Sequence, residues 1–64
     1  SAKSSKKDYR NYLETSLGSA YELETQLMII DRLNFGDKEL RDKLLMAVDE
    51  EQKMIMSFIN AISS

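Results

Sequence analysis

Two long segments with a helical spacing of apolar residues are separated by a single break, LNFGD at residues 33–37. Asn34 and Gly36 both tolerate the left-handed backbone conformation that commonly ends a helix, and Asp37 is a favourable N-cap for the helix that follows. Because so short a connection forces neighbouring helices to run antiparallel, the sequence predicts an all-α fold, an antiparallel two-helix hairpin. Its predicted elements are a helix at about residues 5–33, a turn at 34–37 and a helix at about 38–62.

The first helix has a start signal and a heptad seam. Ser5 and Asp8 have the spacing of a capping box, in which each side chain bonds to the backbone amide of the other residue. Steps of four and three residues then predict a seam that packs along a second helix. Its members are Tyr9, Leu13, Ser16, Ala20, Leu23, Leu27 and Ile30. Because small residues around Gly18 permit a close approach, we expect tight packing there to offset the cost of a helical glycine.

The second helix has a similar seam, which a carboxylate at Glu51 interrupts. Its predicted members are Leu40, Leu44, Val48, Glu51, Ile55, Phe58 and Ile62. A further apolar row beside each seam indicates a second contact surface. Methionines in these rows are consistent either with an adaptable binding surface or, as we favour, with ordinary filling of a helix interface.

The two apolar rows of the first helix together cover about half of its circumference, from 100° per residue, which is more than one antiparallel partner can bury. A chain below about 70 residues seldom has a sufficient core of its own, so we expect a homo-oligomer or packing against further helices. Glu24 and Asp31 fall between the rows; they are either buried polar groups with partners or, as we favour, carboxylates at the rim of a second interface. The predicted helix-packing and oligomer interface consists of Leu17, Ala20, Tyr21, Glu24, Met28, Leu45 and Met56.

The composition argues against catalysis. The 64 residues contain no His and no Cys, which excludes His- or Cys-based metal centres and nucleophile pairs. The carboxylate pairs Glu22 with Glu24 and Asp49 with Glu51 are two residues apart and do not face each other on a helix. A pair formed by Glu24 and Glu51 across the hairpin would be of the acid–base kind, but the sequence does not favour it. We therefore expect no enzyme activity, no catalytic residue, no cofactor and no metal. The sequence lacks an apolar run near 18 residues and a signal-peptide core, so we expect a cytoplasmic protein that does not enter membranes.

A basic end is the one place where the sequence favours contact with nucleic acid. The chain has a formal net charge of -2, but Lys3, Lys6, Lys7 and Arg10 give its first ten residues a net positive charge. Clustered bases can neutralise phosphates, and neighbouring tyrosines, Tyr9, Tyr12 and Tyr21, can stack on bases. The alternative, which we favour from these residues alone, is a solvated helix start.

The run LGSAYELETQL at residues 17–27 resembles the 23S rRNA intervening-sequence protein family of four-helix-bundle proteins. Residues 4–9 resemble the start of that family's third helix, residues 32–35 the turn after it, and residues 54–62 its final helix. The resemblance covers nearly the whole chain but only the second half of the family's four helices. It therefore implies that this hairpin forms half of an up-down four-helix bundle.

The same resemblance implies a partner and an assembly. Members of the family form ring-like homopentamers, and a related branch assists a reverse transcriptase and contacts nucleic acid. The family has no catalytic residues to transfer to this chain. We therefore expect a non-enzymatic oligomeric protein that associates with RNA or a nucleic-acid enzyme; the alternative is a purely structural protein–protein interaction bundle with no nucleic-acid role.

Overall fold

The computed structural model describes residues 5–63 and contains two helices, α1 (Lys6–Arg32) and α2 (Lys38–Ser63). They pack side by side as an antiparallel hairpin whose Cα atoms span 48 × 18 × 15 Å. No strand occurs within residues 5–63. The structure thus confirms the predicted all-α hairpin.

The start of α1 carries the predicted capping box. The Ser5 hydroxyl accepts a hydrogen bond from the Asp8 amide at 3.1 Å, and the Ser5 amide donates to Asp8 Oδ2 at 3.3 Å. These bonds satisfy two of the amides that a helix start leaves unpaired. The carboxylate of Asp8 also lies at the positive end of the helix dipole.

The turn uses the two residues that the sequence singles out. Asn34 and Gly36 have φ values of 58° and 71°, both in the left-handed region. The Asn34 amide donates to the Asp31 carbonyl and the Phe35 amide to the Ile30 carbonyl, which together form a Schellman ending of α1. Asp37 then caps α2, because its Oδ2 accepts from the Leu40 amide at 3.2 Å.

Arg41 stabilises this turn, a role that was not predicted from the sequence. Its side chain is buried, with 6% of the residue exposed. Nε donates to Asp31 Oδ1 at 2.8 Å, and Nη1 donates to the carbonyl oxygens of Phe35 and Gly36 at 2.6 and 2.7 Å. One guanidinium therefore joins the end of α1, the turn and the start of α2.

The row of side chains that lies between the helices differs from the predicted seams. Of the predicted members, Tyr9, Leu23, Ile30, Leu40, Leu44, Glu51 and Phe58 are exposed. The buried and half-buried row of α1 contains Leu13, Ser16, Leu17, Ala20, Glu24, Leu27 and Asp31. That of α2 contains Arg41, Leu45, Val48, Gln52, Ile55, Ile59 and Ile62. The seam prediction was therefore confirmed in part: it was wrong for the exposed members, but the structure buries or half-buries the others, which are Leu13, Ser16, Ala20, Leu27, Val48, Ile55 and Ile62.

Two polar layers give the physical reason for this difference. Gln52 is buried, and its Nε2 donates to Glu24 Oε1 at 3.2 Å and, at the limit of hydrogen bonding, to the Ala20 carbonyl at 3.5 Å. Nearer the turn, Asp31 Oδ1 accepts a hydrogen bond from Nε of the buried Arg41. Glu24 and Asp31 thus have buried partners within the hairpin, as in the alternative of polar groups with partners, while the expected rim of a second interface stays a prediction.

The hydrophobic core of the hairpin is small. Within residues 5–63 the buried hydrophobic side chains are Leu27, Val48 and Ile55, each 8% exposed. The more strongly apolar rows lie beside the helix contact rather than in it.

Gly18 was expected in a close contact, and this expectation was wrong, because a Cβ at Gly18 would have no neighbour within 4 Å. We therefore predict that Gly18→Ala raises the free energy of unfolding by about 0.5–1 kcal/mol through its higher helix propensity. Urea denaturation followed by circular dichroism measures this. Gly36→Ala is the control and should destabilise, since Gly36 has a positive φ. A loss of stability in Gly18→Ala would place another chain against this position.

Candidate functional site

A long apolar groove runs along one side of the hairpin, with a volume of about 460 Å³. We call this side the groove face. The residues that line it come from both helices: Ser16, Ser19, Ala20, Leu23, Leu27, Leu44, Ala47, Val48 and Glu51. Glu51 is the one charged side chain among them. The groove therefore suits an apolar occupant and offers no cation to an anionic one.

The groove face extends beyond the groove itself. Residues seven apart lie on the same side of a helix, so Ile30 continues the row of Leu23, and Phe58 continues that of Glu51. Leu40, Leu44 and Phe58 are 53%, 42% and 55% exposed. An exposed apolar surface that runs along both helices is typical of an interaction site.

The opposite side of the hairpin, which we call the charged face, is more polar. On α2 it carries two exposed ion pairs, Lys38 with Asp42 at 3.0 Å and Lys53 with Asp49 at 3.1 Å. Its exposed apolar side chains include Tyr21, Met28 and Met56, and the Tyr21 hydroxyl lies 4.0 Å from the Met56 sulfur. The two sides therefore differ mainly in charge, because the residues that line the groove include one charged side chain, Glu51, whereas the charged face carries two ion pairs.

The predicted interface residues fall into two groups in the structure. Leu17, Ala20, Glu24 and Leu45 are half-buried between α1 and α2. Tyr21, Met28 and Met56 are exposed on the charged face. The exposed side chains of the groove face are not among the predicted interface residues, although several of them are members of the predicted seams.

Three of the four predicted basic residues lie together at the start of α1. Lys6, Lys7 and Arg10 are exposed, and none of them forms an ion pair within residues 5–63. Lys3 lies outside the described residues. Tyr9 and Tyr12 are 57% and 70% exposed in the same turns, whereas Tyr21 contacts Met56 instead. This basic end offers cations and aromatic rings to solvent.

The described residues show no arrangement typical of a catalytic or metal site. No group of three or more His, Cys, Asp or Glu side chains within residues 5–63 could hold a metal ion. Glu24 is engaged by Gln52 between the helices, whereas Glu51 is exposed in the groove. In the part of the chain that the structure describes, neither helix has an apolar stretch that could cross a bilayer.

Comparison with known protein families places the chain in one of them. The family model described as 23S rRNA-intervening sequence protein matches residues 1–57 of the 64-residue chain. Comparisons with curated proteins and with solved structures found no match.

Proposed function

Because the chain belongs to the 23S rRNA-intervening sequence protein family, we propose that it acts as a non-enzymatic, oligomeric scaffold that holds RNA at its basic ends. In this proposal the groove face packs against further helices in a four-helix bundle. The exposed groove face is the observation that carries the proposal. The basic end then provides the nucleic-acid contact.

Surface area supports the need for assembly. A compact monomer of this mass, 7.4 kDa, is expected to expose about 4,200 Å². This chain exposes 5174 Å², an excess of about 1,000 Å² over that scaling. With a small core and such an excess, the hairpin needs further apolar burial to be stable.

Assembly would also raise the affinity with which the basic ends bind RNA. Lys6, Lys7 and Arg10 on one chain can contact only a few phosphates, and such binding is weak. An oligomer presents the cluster once per copy, and multivalent binding can exceed single-site affinity by about 10²–10⁴. The resemblance to ring-forming relatives suggests five copies, a number that the measured mass of the assembly would test.

Assembly is tested by light scattering on the 64-residue chain, with circular dichroism on the same sample. We expect a helical species whose mass is a multiple of the chain mass, 7.4 kDa. A helical monomer at all accessible concentrations would contradict the proposal.

RNA contact is tested by a fluorescence titration at two salt concentrations. We predict that the double variant Lys6→Glu, Lys7→Glu loses most binding, because it reverses two exposed charges of the basic end. Affinity of the parent for duplex RNA should fall with salt, with a slope of about -0.9 per phosphate contacted, as for duplex DNA. Little base preference is expected, because phosphate contacts carry no sequence information.

The matched control is Lys43→Glu with Lys53→Glu, which changes the net charge equally but on α2. It should bind more tightly than the basic-end variant. Equal losses in both would mean that net charge, rather than the basic end, governs binding. If the assembled parent does not bind at low salt, the alternative stands: a structural interaction bundle with no nucleic-acid role.

A further inference from the structure

We propose that the basic end binds unpaired RNA more tightly than duplex RNA, with Tyr9 and Tyr12 as the rings on which the bases stack. This inference rests on the proposed function, because it names the class of RNA that the same site would take. The charge of the hairpin, the exposure of the two rings and the difference between paired and unpaired bases support it.

The distribution of charge confines RNA to the end of the hairpin at which α1 begins. Residues 5–13 hold three bases and one acid, Asp8, whose carboxylate accepts from the Ser5 amide. The end of α2 lies beside them in the antiparallel hairpin, and its residues 54–63 contain no charged side chain. Residues 14–53 hold five bases against ten acids, so the rest of the described chain repels a phosphate backbone.

Side chains, rather than the amides of the helix start, form this site. The capping box already engages the amides of Ser5 and Asp8. Tyr9 and Tyr12 are 57% and 70% exposed, and because they are three residues apart they are neighbours on the helix surface. Two exposed rings therefore stand beside the cluster of Lys6, Lys7 and Arg10, which forms no ion pair within residues 5–63.

Charge alone would favour a duplex. Each phosphate contacted contributes about 0.9 to the salt dependence of duplex binding but only about 0.7 to that of single-strand binding. The bases of a duplex are stacked on one another, so an aromatic side chain cannot reach their faces. Unpaired bases can turn outwards and stack on tyrosine. A preference of this chain for unpaired RNA would therefore be due to its rings.

The two tyrosines lie beyond the end of the apolar groove. Tyr9 precedes Ser16 by seven residues and so lies on the same side of α1, but Ser16 is the first residue that lines the groove. A helix that covers the groove can therefore end before the rings. If another helix instead covered the rings, their loss would weaken assembly and would leave the preference between the two classes of RNA unchanged.

Fluorescence anisotropy on the assembled chain tests the preference, with labelled oligouridine as the unpaired probe and a duplex RNA with the same number of phosphates. We expect the parent to bind oligouridine about tenfold more tightly at the same salt concentration. Tyr9→Leu with Tyr12→Leu should lose about tenfold in affinity for oligouridine and less than about threefold for the duplex. Tyr9→Phe with Tyr12→Phe keeps both rings and should bind as the parent does.

The matched control is Tyr21→Leu, which removes an exposed ring from the same helix but outside the basic end. It should leave the affinity for oligouridine within about threefold of the parent, because its ring is not beside the clustered bases.

Tyrosine emission reports the stacking itself. The chain contains three Tyr and no Trp, so in Tyr21→Phe the emission comes from Tyr9 and Tyr12. Oligouridine should quench this emission strongly, whereas the duplex at equal saturation should quench it little. This measurement needs no substitution in the basic end, so it decides even where the double Leu variant fails to fold or assemble.

The outcomes separate this inference from the proposed function. If the assembled parent binds neither RNA at low salt, both are contradicted. Equal affinities for oligouridine and duplex, or no quenching by bound oligouridine, overturn the stacking inference and leave the scaffold proposal standing, provided that Lys6→Glu with Lys7→Glu still abolishes binding. A double Leu variant that assembles and binds oligouridine as the parent does also overturns it.

Discussion

Arg41→Met should lower the free energy of unfolding by about 2–4 kcal/mol, since hydrogen bonds from a charged group contribute more than neutral ones and a broken buried pair is costly. The guanidinium of Arg41 binds Asp31 and the carbonyl oxygens of Phe35 and Gly36. Methionine has a similar length but donates no hydrogen bond. The turn would then lose the side chain that joins it to both helices.

Urea denaturation at fixed chain concentration measures this change. The control is Arg32→Met, which removes an exposed charge from the last turn of α1 and should cost no more than about 1 kcal/mol through the helix dipole. Equal unfolding midpoints for Arg41→Met and the parent would show that the guanidinium does not hold the turn.

Leu27→Ala should destabilise the chain by about 2–3 kcal/mol, within the range for large-to-small core substitutions. Leu27 is one of three buried hydrophobic side chains in the described residues, and it also lines the groove. Its truncation would therefore weaken both the hairpin contact and the surface that the groove face offers to further helices.

The control for this variant is Met46→Ala, since Met46 is 66% exposed and lies outside the groove. Its effect should stay within about 0.5 kcal/mol, as for surface substitutions away from special features. The difference is measured by thermal unfolding followed at 222 nm. Similar melting temperatures for the two variants would contradict the assignment of Leu27 to the core.

Local signals in the sequence predicted the hairpin well. The capping box of Ser5 and Asp8 and the helix ending at Asn34 and Gly36 depend only on residues that are close along the chain. They could therefore be predicted from the local sequence. The antiparallel arrangement follows from the short connection between the helices. These features needed no knowledge of what packs against the hairpin.

The row of side chains that packs between the two helices could not be predicted from such local signals. The row that includes Arg41, Leu45 and Gln52 also alternates steps of four and three residues, so periodicity alone permits it. The more apolar row was preferred, but the hairpin buries the row whose polar members, Gln52 and Arg41, find partners on α1. Such pairing depends on which residues face each other across the hairpin, which a single-helix pattern does not contain.

The two candidate surfaces also differ in whether the sequence predicted them. The basic end was visible in the sequence because Lys6, Lys7 and Arg10 are close along the chain. The groove face was not recognised as a separate surface, because its residues had been placed in the helix contact. The helical spacing of Leu23, Ile30, Leu44 and Phe58 could have indicated this surface. It indicates an exposed surface, however, only once it is known that another row packs between the helices.

The most direct test of the account is a dilution series of the 64-residue chain, with helicity and melting temperature measured at each concentration. Folding that is coupled to association depends on concentration by mass action. If the groove face must be covered, helicity and melting temperature should both fall as the chain is diluted. A helical chain whose melting temperature is the same at all concentrations, with a monomer mass, would contradict the account.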